Sequence, residues 1–313
     1  MTVLFHDPIF LEHRTGAHPE TPERLRAIAR RLESAGLAAR CRAGQIQPLA
    51  VEDVAQLHAP EMVEQVRSLA DRGGGWIDSD TVVSPASFRV ALAAAGAAAS
   101  AVDAVVAGPD RNALCLIRPP GHHATPATSM GFCLFNNVAL AARRARTRHG
   151  LDRILIVDFD VHHGNGTQDI FYRDPDVHFV SIHRYGRGFY PGTGAADETG
   201  AGPGLGATLN VPLRYGVSRA DYRAAATAAI EGAADRFRPQ LVLVSAGFDA
   251  HRLDPVGDLG LEVEDYGWLT ELLLAAARAH CDGRLVSCLE GGYHHEATAE
   301  GVAVHLAALL DHA

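Results

Sequence analysis

Short runs of β-branched and leucine-rich residues recur along the chain, at 2–5, 113–117, 153–157, 177–182, 207–211, 240–244 and 284–289. Stretches with helical spacing lie between most of them. One is 21–38, where Leu25, Ile28, Ala29 and Leu32 share a face; others are 218–236, 264–280 and 297–311. Strands alternating with helices imply βαβ units and a mostly parallel sheet covered on both sides. The run at 153–157, Arg-Ile-Leu-Ile-Val, shows no polar alternation, as expected of an interior strand buried on both faces. The Ala-rich segment 90–107, interrupted by Ser100 and Asp103, reads as a buried helix too short and mild to cross a bilayer. The stretch 184–206 carries glycine at 186, 188, 192, 194, 200, 202, 204 and 206 but fits no phosphate-loop pattern, so a long shaped surface loop is expected. No linker, repeat or composition shift divides the sequence. The expectation is an α/β fold, one domain over residues 1–313, with an open parallel β-sheet flanked by helices.

Composition narrows the partners. The net charge of −9 argues against a nucleic-acid surface. Five cysteines, Cys41, Cys115, Cys133, Cys281 and Cys288, show no CxxC spacing and an odd total, which points to reduced thiols. With no basic segment and apolar stretch at the N-terminus, a cytoplasmic protein without membrane attachment is expected. The oligomeric state is left open, a homo-oligomer included.

The chemistry gathers where apolar strands end, the place at which open α/β sheets build their sites. There stand Arg-Pro-Pro-Gly-His-His (118–123), Asp-Phe-Asp-Val-His-His-Gly-Asn-Gly (158–166), Ser-Ala-Gly-Phe-Asp-Ala-His (245–251) and Glu-Gly-Gly-Tyr-His (290–294). Asp158, Asp160 and His162 are spaced by two and in an extended chain point the same way. Asp160 and His162 can then ligate one ion, and Asp249, after the strand at 241–245, can close the set. Two carboxylates and one imidazole leave positions open for water and substrate, as a catalytic metal requires; zinc suits such ligands, and iron(II) or cobalt could replace it. The plainer alternative is that the aspartates are helix caps or ion-pair partners and His162 a core histidine. Against it, Asp158, Asp160, His162, His163 and Asn165 crowd eight residues behind a buried strand, at high desolvation cost. His122 and His123 follow the rigid turn Pro119-Pro120-Gly121; beside a metal, one imidazole could move a proton between water and a leaving amine. Tyr293 follows two glycines and could either donate to a developing oxyanion or simply pack.

Together with His-Pro-Glu-Thr-Pro-Glu-Arg (18–24), Gly-Phe-Cys-Leu-Phe-Asn-Asn (131–137) and Pro-Gly-Thr-Gly (191–194), these motifs resemble the zinc-dependent histone deacetylase family, particularly its class II-like bacterial branch. The resemblance runs from about residue 5 to 295. It implies an arginase/deacetylase-like fold and zinc-dependent hydrolysis of N-acylated amines, above all acetyl-lysine side chains of proteins. By position, Asp160, His162 and Asp249 would bind zinc. His123 would be the general base, His122 its electrostatic partner oriented by Asp158, and Asn165 would sit behind His123. Tyr293 would hydrogen-bond the acyl oxygen. Phe132 and Tyr190 would wall the substrate tunnel, with Gly131, Gly291 and Val256 also in contact with substrate. Asp80 would grip substrate at the rim, Arg24 would line an acetate exit, and potassium would sit near Asp158, Asp160, His162, Ser181 and Ile182. Two positions bear on the chemistry: the first on the charge behind His123, the second on substrate. Asn165 stands where some members have Asp, and Val256 stands where polyamine deacetylases of the family favour a glutamate. The apolar Val256 weakens a polyamine reading, while Asp80, Asp258 or a partner subunit could supply the charge such a substrate needs; acetylpolyamines or other small acylated amines are the alternative substrates. A ligand-binding protein without turnover is the alternative class.

Overall fold

A computed structural model describes residues 1–313, and every apolar run forms a strand of one eight-stranded sheet. Strands and helices are numbered in chain order. The sheet contains β1 (Val3–Phe5), β2 (Arg42–Ala43), β5 (Asn112–Cys115), β6 (Ile154–Asp158), β7 (Val177–Arg184), β8 (Thr208–Leu213), β9 (Leu241–Ala246) and β10 (Leu285–Leu289). The remaining strands, β3 (Gly75–Trp76) and β4 (Val82–Val83), form a separate antiparallel hairpin. Strand order is β2-β1-β5-β10-β9-β6-β7-β8, and all neighbours in the large sheet pair parallel. Interior strands β5, β6, β9 and β10 are buried at every position, which explains their mostly apolar sequence, broken only by Asn112, Asp158, Ser245 and Ser287.

Two helical layers cover the sheet. On one face α7 (Arg219–Phe237), α8 (Val263–Cys281), α9 (His295–Asp311) and α1 (Pro22–Ser34) pack side by side. The other carries α4 (Ser87–Ala107), α5 (Asn137–His149) and α6 (Asn165–Phe171), with α2 (Val51–Val54) and α3 (Pro60–Asp71) also in the fold. Local chemistry fixes the ends. Ser218 caps α7 through the Asp221 amide, Asn136 caps α5 through the Ala139 amide, and Glu262 with Asp265 form a capping box on α8. Gly150 ends α5 at a φ of 65°, left-handed backbone that glycine adopts without penalty.

One expectation is corrected. The Ala-rich helix is longer than 90–107, running for 21 residues from Ser87, and by length and composition it is apolar enough to cross a membrane. Thirteen of its residues are buried against the sheet and α5, so its apolar character is spent on the core. The edge strand β2 and helices α2, α3, α5 and α6 were not among the expected elements. In α5 the buried face is mostly alanine, which gives weak periodicity beside its four arginines.

Strands β5, β10, β9 and β6 are consecutive in the sheet. Their carboxyl ends thereby deliver all four polar motifs to one place.

Candidate active site

The sequence 158–162 does not continue as extended chain, which corrects the reason given above for its common direction. Strand β6 stops at Asp158, whose Oδ1 accepts the Asp160 amide at 3.1 Å; Asp160 Oδ1 then accepts the His162 amide at 2.9 Å. These two successive Asx turns, each an aspartate bonding the backbone two residues on, coil the segment. They separate Asp158 from Asp160 and His162. Asp158 Oδ2 turns to His122 Nδ1 at 2.9 Å, while His162 Nδ1 lies 3.0 Å from Asp160 Oδ1 and 3.2 Å from Asp249 Oδ2.

Asp160, His162 and Asp249 are all buried, and their ligand atoms lie within 4.8 Å of one another. Asp249 Oδ1 accepts the Val161 amide at 2.9 Å and Asp160 Oδ2 the Gly291 amide at 2.9 Å, whereas Asp249 Oδ2 has no hydrogen bond. Burial first, then repulsion from Asp160, pushes the Asp249 carboxyl up to about 7. Two buried carboxylates converging on one imidazole, with one oxygen orphaned, form a cradle that a divalent cation would neutralise. The donor set fits zinc. Gly291 backs this cradle: a Cβ there would stand 2.1 Å from Asp249 Oδ2 and 2.5 Å from Asp160 Oδ2. Gly291→Ala should therefore lower metal affinity roughly 10- to 100-fold, the usual effect of disturbing groups that orient ligands. Metal titration followed by elemental analysis checks this, and full metal content in the variant would contradict it.

The histidine pair sits on an acidic platform. Glu290 Oε2 accepts the amides of Gly121 (2.7 Å) and His122 (3.2 Å), and its Oε1 accepts Ser245 Oγ at 3.2 Å. Behind this, Glu20 receives Arg118 on both carboxylate oxygens and Arg24 at 3.0 Å, all fully buried. The ring centroids of His122 and His123 are 3.9 Å apart, yet their surroundings pull them in opposite directions. Burial opposes the charge on His122, but Asp158 and Asp160 outweigh it and hold its pKa up to about 10. Burial and the adjoining cationic His122 and His162 drive His123 well below its usual range. His123 Nδ1 contacts Asn165 Oδ1 at 2.7 Å.

Above these groups opens a cavity of about 270 Å³ lined by Asp80, His123, Gly131, Phe132, His162, Gly188, Phe189, Tyr190, Val256 and Tyr293. Phe189 stacks on His162 with ring planes 3° apart, and Tyr190 meets His123 edge-on at 90°. Phe132 faces Tyr293 edge-on at 5.7 Å. Both Gly131 and Phe132 hold positive φ, 57° and 68°, and a Cβ on Gly131 would come within 2.5 Å of the His123 ring. The Tyr190 hydroxyl is buried without a partner. Burial first, then Asp249 and Asp160 against the opposing Arg24, raises the Tyr293 hydroxyl well above its usual pKa, so it stays a donor. The Arg24 guanidinium lies 5.0 Å over the Tyr293 ring and donates to the carbonyl of Gly292 at 2.6 Å.

Asp80, Gly131, Phe132, Tyr190, Val256, Tyr293, His123 and His162 thus meet in one cavity, with His122, Asp158, Asp160 and Asp249 buried beneath it. Gly291 is the exception. It does not line the cavity, because its close approach is to the aspartates. Glu20 and Glu290, within the quoted stretches, and Asp254, just beyond one, are buried carboxylates that received no role from sequence. Asp254 Oδ2 accepts the amides of Tyr293 (2.7 Å) and His294 (3.2 Å), and its Oδ1 those of Val256 (2.9 Å) and Gly257 (3.0 Å). Phe189, beside Tyr190, was also missed. All five cysteines are free thiols.

Sheet and site together define an α/β enzyme that presents an Asp-His-Asp cradle and a histidine pair at the floor of an aromatic tunnel. The chain belongs to the histone deacetylase family, whose histone deacetylase domain matches residues 18–309. It is similar to a histone deacetylase-like amidohydrolase of Pseudomonas aeruginosa, 42% identical over 310 residues (93% of this chain, 81% of that protein). A human relative named polyamine deacetylase HDAC10 is 44% identical over 93% of this chain and 44% of its own length. The crystal structure of the HDA15 HD domain superposes with a TM-score of 0.94 at 38% identity, covering 99% of this chain and 90% of that one. The family's members are hydrolytic deacetylases and amidohydrolases, and this chain is one of them.

Proposed function

We propose that the protein hydrolyses the amide of N-acetyl-lysine side chains in proteins, releasing acetate. The observation that carries this reading is the narrow aromatic cavity with His123 and His162 at its floor, shaped for a slender acyl-amine chain. Asp160, His162 and Asp249 would hold zinc, which supplies polarisation of the acyl oxygen and acidification of water when bound. The rest is done by side chains. Asn165 Oδ1 accepts from His123 Nδ1, so the bare Nε2 is the atom that removes the proton from water. The depressed pKa of His123 keeps it neutral and ready. Once protonated, it passes that proton to the departing amine. His122 remains an imidazolium anchored by Asp158 and supplies a fixed positive charge beside the developing anion. Tyr293 donates its hydroxyl to the acyl oxygen as negative charge gathers there. Potassium near Asp158, Asp160, His162, Ser181 and Ile182 belongs to the same proposal; Asp158 and Ser181 are register partners in the sheet.

Tyr293→Phe should lower kcat roughly 10²- to 10³-fold with metal content intact, the scale of losing one oxyanion donor. A near-normal rate would remove Tyr293 from the mechanism. A second reading, a small acetylated polyamine as substrate, draws on the Asp80 carboxylate at the cavity and on the relative named a polyamine deacetylase. Parallel kinetics on acetyl-lysine peptides and acetylputrescine, on one preparation of known metal content, decide between them. A kcat/KM that favours acetylputrescine would overturn the first reading.

A further inference from the structure

Phe189 lines not only the tunnel but also a second hollow, of about 640 Å³, between the loop after β7 and the end of β8. Arg184, Arg187 and Arg214 line that hollow together with Tyr185 and Tyr215, and no carboxylate does. The Arg184 guanidinium is sandwiched, 4.2 Å from the Phe189 ring centre and 4.5 Å from that of Tyr215. One of its terminal nitrogens donates to the Gly257 carbonyl at 2.9 Å, and its Nε and other terminal nitrogen make no hydrogen bond within the chain. Arg187 and Arg214 are exposed. The nearby Asp258 carboxylate is engaged by the Tyr215 hydroxyl (3.2 Å) and the Gly260 amide (3.0 Å).

A solitary surface arginine is ordinarily just solvated. Here three converge on one concavity of a chain whose net charge is −9, and the most buried of them is held rigid between two rings. Three guanidinium charges face the hollow against the single nearby carboxylate of Asp258, so an anionic ligand would relieve the repulsion that remains. The planar guanidinium fork matches a carboxylate in geometry as well as in charge. The hollow also shares a wall with the tunnel, so one extended ligand can occupy both.

We propose that this hollow receives an acidic side chain, Asp or Glu, of the same polypeptide whose acyl-lysine enters the tunnel, so that the enzyme selects acyl-lysines in acidic surroundings. The inference rests on the acyl-lysine reading above. It also predicts poor use of free polyamines, whose remaining amines are cationic.

Three acetyl-lysine peptides of equal length test it, with Glu, Gln or Lys on either side of the acetyl-lysine. The expected order of kcat/KM is Glu, then Gln, then Lys, with the Glu peptide roughly 5- to 30-fold above the Gln peptide at low salt, the range for partly exposed charge-assisted contacts. That ratio should shrink in 0.5 M NaCl. In the double variant R187E/R214E it should fall to about one or invert; both residues are exposed, so matching melting curves are expected. In parallel, fluorescence anisotropy follows a fluorescein-labelled Glu peptide that carries unacetylated lysine, which should bind the parent chain and not the double variant. Equal kcat/KM for the Glu and Gln peptides, or a ratio that survives the double variant, overturns the inference while leaving the deacetylase reading in place. If no peptide is hydrolysed yet the labelled peptide binds only the parent chain, the deacetylase reading fails and the anion-binding hollow stands.

Discussion

His123→Ala is expected to lower kcat by roughly 10²- to 10⁴-fold, the usual worth of a positioned general base, while metal content stays at the parent level. The reason is geometric. His123 is the histidine of the pair that faces the cavity, and its Nδ1 is committed to Asn165. His122 cannot substitute, because Asp158 and Asp160 hold it protonated up to about pH 10 and it has no lone pair to offer. The pH profile gives a second check. A group whose pKa is depressed remains in its neutral, basic form until the pH falls well below 6.5. Loss of kcat through His123 protonation should therefore lie below the range of an ordinary histidine. Asn165→Asp would place a carboxylate behind the ring and move that limb to higher pH. A parent enzyme that already loses half its rate near pH 6.5 through this group would contradict the assignment. So would a His123→Ala variant with a near-normal rate.

Glu20→Gln should cost about 3–5 kcal/mol of stability, because it leaves Arg24 and Arg118 buried without their common counter-ion. Burial pushes the Glu20 carboxyl up, but Arg118 and Arg24 outweigh burial and bring it to about 2. Because the folded-state value is the depressed one, the stabilisation is fully present above pH 4.5. It disappears as pH falls from 4.5 toward 2, where the native state finally takes up the proton. The span corresponds to about 3 kcal/mol. Chemical denaturation at pH 7 measures the first effect. A pH series then asks whether the parent loses more stability between 4.5 and 2 than the Gln variant does. Equal acid sensitivity in the two proteins would remove Glu20 from the account.

Much of the architecture was legible because β5, β6, β9 and β10 are buried on both faces and are therefore mostly apolar, while polar residues gather at their carboxyl ends. The same logic exposed Asp160, His162 and Asp249. What escaped were partnerships between segments far apart in sequence. Glu290 reaches amides 169 and 168 residues away, and Glu20 meets Arg118 across 98 residues. Nothing in a local pattern announces such pairs; the sheet order creates them. The 158–162 segment shows a subtler gap. Its spacing by two pointed to residues that the fold does bring together, but through the wrong geometry, since side chain-to-backbone bonds at Asp158 and Asp160 overrode strand continuation. Gly291 was assigned to the tunnel because motifs give adjacency but not which side of a ligand a backbone approaches. The arginine hollow was invisible for the same reason, being assembled from a glycine-rich loop and a strand end about 27 residues further on.

Asp254 links two parts of the molecule that adaptation to new substrates would need to vary separately. One carboxylate fixes the amides of Val256 and Gly257 at the tunnel mouth and those of Tyr293 and His294 at its floor. A substitution or insertion that reshapes the mouth through this loop pulls on Asp254 Oδ1, and so on the carboxylate whose other oxygen seats the tyrosine. Selectivity and rate are therefore mechanically yoked at this carboxylate.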